Sequence, residues 1–123
     1  MQKDEYQASK EIRAYRWQGQ IDKALALTEQ ARERFPDAAY FDRILGDIAM
    51  SRGEYDVAGS AYVGFLTKIG EDLKHFQSFE TFWSRYVENA GQQNCETVYR
   101  EIVARVNKGQ FADALRRKLA AVL

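Results

Sequence analysis

Trp17-Gln18-Gly19-Gln20-Ile21-Asp22-Lys23-Ala24 and Ser51-Arg52-Gly53-Glu54-Tyr55-Asp56-Val57-Ala58 are two versions of one phrase, 34 residues apart. Each places a glycine third, then a polar residue, a bulky apolar residue, Asp and, last, Ala. Glycine allows the left-handed backbone that ends one helix, and the residues after it start the next. A 34-residue period with helical flanks marks a stacked array of helix hairpins.

Working outward from the two phrases, helical periodicity dominates and no segment alternates with the period of a strand. Apolar stripes and breakers predict seven helices, over residues 6–18, 20–34, 39–51, 54–68, 71–89, 94–107 and 110–122. Pro36 stops the second helix because it lacks the N–H and restricts the residue before it. Gly19, Gly53, Gly70, Gly91 and Gly109 punctuate the rest. Short connections make neighbouring helices antiparallel. The expectation is an all-α chain forming a single domain over residues 1–123, with repeats at about 5–38 and 39–70 and a divergent helical repeat plus cap at 71–123.

These residues resemble the tetratricopeptide repeat family. In the first repeat Tyr15 stands at the aromatic position of the first helix and Gly19 at the turn. Ala24 and Ala31 take the small positions of the second helix, and Pro36 its end. In the second repeat Leu45 and Gly46 form the apolar–small pair, followed by Gly53, Tyr55, Ala58 and Tyr62. Small residues there let two helices approach, and bulky ones fill the space between repeats. Ile12, Phe65 and Gly70 depart from the pattern, and Ile12 in place of a small residue predicts a wider contact in the first hairpin. A third phrase, Lys108-Gly109-Gln110-Phe111-Ala112-Asp113-Ala114, comes 56 residues after the second rather than 34. Either an extra helix displaces it, or the phrase is a coincidence. Helix parity favours pairing helices five and six and leaving helix seven as a half-repeat cap.

The resemblance implies a right-handed superhelix whose concave groove holds a peptide or a partner helix. Carried over to this chain, the groove residues are Tyr6, Ser9, Arg13, Arg16 and Trp17 from the first repeat, and Tyr40, Arg43, Asp47, Met50 and Ser51 from the second. Tyr and Trp supply contact area, and Arg supplies forked donors for carboxylates. Trp17 is also the one most expected to be covered by the next helix. The family's carboxylate clamp for chaperone tails uses positions that hold Ser9, Arg13, Ile44 and Asp47 here, so that clamp is not expected.

Helix five is apolar on two stripes, Phe76–Trp83–Val87 and Phe79–Phe82–Tyr86. Such a helix is central to the fold or forms an interface. Phe79, Phe82 and Tyr86 are therefore candidates for self-association, as is the apolar end Ala120–Leu123. The alternative readings of function are thus a homo-oligomerising structural domain and a regulatory or targeting segment of a larger enzyme.

Little in the chain points to catalysis. His75 and Cys95 are the only residues of their kinds among 123. They do not make a triad or the usual zinc site. No catalytic residue, metal or cofactor is expected, and the glycines are too isolated to cradle phosphate. Formal net charge is zero, which argues against a nucleic-acid partner. Residues 39–94 are nevertheless net −3 and residues 95–123 net +3. Ordinary solvated faces account for this split, or the molecule is a dipole that meets a charged partner. The polar start, the single cysteine and the lack of a long apolar run give an expectation of a cytoplasmic protein without a membrane span.

Overall fold

A computed structural model describes residues 3–69 and 76–105, together with positions 117 and 120, and gives the backbone alone at 76–80. Among the described residues every regular element is an α-helix. They are α1 (Lys3–Trp17), α2 (Ile21–Arg34), α3 (Ala39–Ser51), α4 (Tyr55–Ile69), α5 (Phe76–Asn89) and α6 (Gln92–Arg105). The expected seventh helix falls almost wholly outside the described residues, where only Arg117 and Ala120 are seen, both helical. Gly70, Gly109 and His75 also lie outside them.

The two phrases fold into the same turn. Gly19 has φ +78° and Gly53 φ +73°. At the first turn Gly19 N–H donates to Arg16 O at 3.1 Å and Gln20 N–H to Tyr15 O at 2.8 Å. At the second Gly53 N–H donates to Met50 O at 3.2 Å and Glu54 N–H to Ala49 O at 2.9 Å. This paired closure satisfies the last carbonyls of one helix. The next helix opens with Ala24 N–H on Gln20 O and Ala58 N–H on Glu54 O, and both alanines are fully buried. Between the repeats, Ala38 N–H reaches Phe35 O at 3.1 Å across Pro36 and Asp37, a turn with proline in its favoured second place.

Packing divides around α3. Phe41, Ile44 and Ile48 join Ile12, Ala24 and Ala31 in a core shared with α1 and α2. Ala49 belongs to a larger core built with α4, α5 and α6, which holds Leu66, Phe82, Trp83, Tyr86, Val98 and Ile102. Among the described residues the contact between α3 and α4 is the most extensive, and that between α1 and α2 is smaller. In the second hairpin Gly46 lies directly against the Tyr62 ring of α4.

The regular rhythm ends after α4. The helix that comes closest to α4 on the far side is α6, not α5. A Cβ on Gly59 would lie 2.6 Å from the Tyr86 hydroxyl and also meet Val98, so this glycine sets the spacing. Helix α5 instead reaches α4 through large rings, with Tyr86 donating its hydroxyl to Tyr55 O at 2.9 Å.

One ionic cluster ties three helices. The Asp42 side chain in α3 is 1% exposed. It accepts from Arg32 Nε of α2 at 2.9 Å and faces Lys68 Nζ of α4 at 2.5 Å. Gly64 leaves room for it, since a Cβ there would sit 3.2 Å from Asp42 Oδ1.

Candidate functional site: a cleft lined by three arginines

A cleft of about 550 Å³ opens across α1, α3, α4 and α5. Arg43, Asp47 and Met50 lie on one face of α3 at helical spacing, with Ser51 beside them. Arg16 comes from the end of α1. Tyr62 and Phe65 come from α4, and Thr81, Phe82 and Arg85 from α5. The volume is within the ordinary range for ligand sites.

The floor is a fixed pair of rings. Tyr62 and Phe82 stack with centroids 3.3 Å apart and planes 19° from parallel. The Tyr62 hydroxyl donates to Asp47 Oδ1. Burial first, then this bond and the Asp47 charge, push the Tyr62 phenol well above the usual tyrosine range, while Arg43 and Arg85 pull the other way. Among the described residues the lining thus holds three guanidiniums and one carboxylate, and that carboxylate accepts the phenol hydrogen bond. None of Arg16, Arg43 and Arg85 has an ion-pair partner among the described residues.

Of the groove residues expected from sequence, Arg16, Arg43, Asp47, Met50 and Ser51 come together here. The others do not. Ser9 is buried and donates its hydroxyl to Tyr6 O at 2.7 Å, so it is not a groove residue. Tyr40 packs half-buried against the first core, edge-on to Phe41 at 5.5 Å. Trp17 is 92% exposed, which corrects the expectation that the next helix covers it. It lies about 140° round α1 from the buried Ile12, on the face that looks away. Tyr6, 53% exposed, and the exposed Arg13 share that outer side.

The candidate interface on α5 is corrected as well. Phe82 and Tyr86 are buried within the chain, and Trp83 with them. The Phe79 side chain lies outside the described residues. Tyr62, Phe65, Thr81, Phe82 and Arg85 also line the cleft, outside the groove positions of the repeat. The repeat pattern includes Tyr62 as a packing position and has Phe65 as a departure, and nothing in the sequence shows which side of α5 meets the cleft.

Cys95 is buried, and burial pushes its thiol up, away from the reactive thiolate. Among the described residues no group of three His, Cys, Asp or Glu side chains is placed to hold a metal ion. No helix among them is long and apolar enough to cross a membrane.

Tyr86 has its phenol pushed up to about 12, first by burial and then by Cys95, Asp56 and Glu101. An unfolded tyrosine releases its proton near pH 10. Tyr62 and Tyr86 keep theirs in the folded chain. The stability conferred by both is therefore full below pH 10 and falls as pH rises through 10 toward 12. Each tyrosine is expected to remove at most about 1.4 kcal/mol per pH unit in that window. Urea midpoints measured at about pH 9 and about pH 11 check this; an unchanged midpoint contradicts it.

Comparison with protein-family models, with curated proteins and with solved structures found no match to this chain in any of the three.

Proposed function

We propose that the chain is a non-catalytic protein–protein interaction module of the tetratricopeptide type, a right-handed superhelix that holds an extended peptide or partner helix in this cleft. The observation that carries the reading is the convergence of Arg16, Arg43, Asp47 and Met50 on one concavity. Repeat position alone designates those residues, and they come from helices of two successive hairpins. The repeated turns at Gly19 and Gly53, with identical hydrogen bonds, support the repeat itself. The lining is mixed in the way binding grooves are: aromatic and thioether surface beside forked donors.

Burial of Phe82 and Tyr86 takes two of the three candidate residues on α5 away from self-association. The cleft stays as the better-supported contact surface.

Affinity capture with the purified chain and its Arg43→Ala variant tests the proposal. Arg43 is exposed and makes no ion pair among the described residues, so its loss is expected to leave the melting temperature within the small range of surface substitutions. Retention of a specific partner is expected to fall about tenfold, the scale of one lost charged anchor. Equal retention by both proteins removes the cleft as the binding surface.

A further inference from the structure

We infer that the cleft takes an extended acidic segment of a partner polypeptide, with carboxylates at alternate positions. This rests on the reading of the cleft as a binding groove and names the chemistry of its occupant.

The argument begins with charge. Residues 39–94 are net −3, yet the cleft they largely build gathers Arg16, Arg43 and Arg85. Three like charges around one concavity repel each other, and a fold normally relieves this with carboxylates. Among the described lining residues Asp47 is the only carboxylate, and its Oδ1 accepts the Tyr62 hydroxyl. Asp47 offsets one of the three charges, so the described lining stays net positive, and an anionic ligand can supply the remaining compensation. A guanidinium binds a carboxylate through two parallel N–H donors, which gives direction as well as attraction.

Shape sets the rest. The arginines stand on three helices, α1, α3 and α5, so a single point anion cannot serve all of them equally. An extended chain repeats its side-chain direction every second residue, at roughly 6.6 Å. Carboxylates so spaced can address different guanidiniums. Beside the arginines the half-buried Met50 lines the cleft, while Phe65 and Phe82 are buried in its wall. The arrangement differs from the carboxylate clamp set aside above, whose positions hold Ser9, Arg13, Ile44 and Asp47. Of these, Ser9 and Ile44 are buried.

The test uses the full chain and fluorescein-labelled peptides with a Glu-Leu-Glu-Leu-Glu core, or a Gln-Leu-Gln-Leu-Gln core of the same length, read by fluorescence anisotropy. The glutamate peptide is expected to bind at least about tenfold tighter than the glutamine peptide. Its advantage should shrink between about 50 and about 200 mM salt, as partly exposed charge pairs are screened. Arg43→Gln combined with Arg85→Gln is expected to abolish the advantage, while Arg105→Gln, an exposed arginine outside the cleft, keeps it. A thermal melt of the double variant separates lost binding from lost folding, and Arg43→Gln alone stands in if the double variant melts early. Equal binding of the two peptides overturns the acidic occupant while leaving a peptide groove standing. A loss with Arg105→Gln as large as with the cleft pair overturns it too, because it shows general charge attraction. Failure of both peptides to bind also overturns it, and the capture experiment with Arg43→Ala then decides the groove separately.

Discussion

Asp42→Ala is expected to destabilise the protein by about 3 kcal/mol, and to lower the urea midpoint accordingly. The Asp42 carboxylate is buried and joins Arg32 of α2 to Lys68 of α4. Removing one partner from a buried ionic group typically costs about 3–5 kcal/mol, because the remaining charge is left uncompensated away from water. The lower end applies here, since the Arg32 and Lys68 side chains are 35% and 25% exposed and can partly turn to solvent. The pair Asp4–Arg34 serves as the comparison. It joins α1 to α2 at 3.2 Å but is 66% exposed on both sides, so Arg34→Ala is expected to cost under about 1 kcal/mol. Salt separates them further: the exposed pair weakens with ionic strength and the buried cluster changes little. A loss below about 1 kcal/mol for Asp42→Ala would show that the cluster's desolvation cancels its attraction.

Asp42 also shows where the sequence stops being readable. An acidic residue in the first turn of a helix reads as a complement to the helix dipole, which is an exposed role. Its actual partners come from two other helices, and no local pattern announces them. The turns at Gly19 and Gly53 were legible for the opposite reason. Their hydrogen bonds span five residues or fewer, so the residues that make the turn are the residues that signal it. The same holds for Gly46 and Ala58, whose small size was read as close approach and which are buried between α3 and α4.

Helix α5 lies between these cases. Its aromatic content is plain in the sequence, which reads as two separate stripes. Phe82, Trp83 and Tyr86 instead form one arc about 100° wide, and all three are buried. Periodicity counts residues that share a stripe; it does not reveal that a broad face is needed when α4 and α6 both cover it. Trp17 failed for a related reason. The next helix is expected to cover it, while its angle from Ile12 puts it in water. The cleft was half legible. Repeat position supplied Arg16, Arg43, Asp47 and Met50, but Arg85 enters from the segment where the 34-residue rhythm is lost. No repeat argument reaches it there.

Gly46→Ala tests that close approach and the cleft floor together, and is expected to cost about 2 kcal/mol. Intrinsic helix preference alone would favour alanine by up to about 1 kcal/mol, so any loss measures packing. The added Cβ would lie 2.6 Å from Tyr62 Cδ2 and 2.9 Å from Tyr62 Cζ, inside the contact distance of carbon atoms. A free ring would turn aside cheaply. This one is stacked on Phe82 at 3.3 Å and bonded through its hydroxyl to Asp47, so moving it disturbs both. Overpacking of this kind typically costs about 1–3 kcal/mol, and a held ring places the effect at the upper end. A double-mutant cycle separates the causes. Tyr62→Leu removes the ring that the new methyl meets, so the two substitutions together are expected to cost at least about 1 kcal/mol less than the sum of each alone. Additive losses would mean that the methyl strains something other than Tyr62. Gly46→Ala should also weaken partner capture at temperatures where the variant is fully folded, because the displaced ring releases Asp47. A freed Asp47 carboxylate can pair with Arg43 or Arg85 and compete for the donors a ligand needs. Stability lost with capture unchanged would separate the ring floor from binding and leave the arginines as the functional part of the cleft.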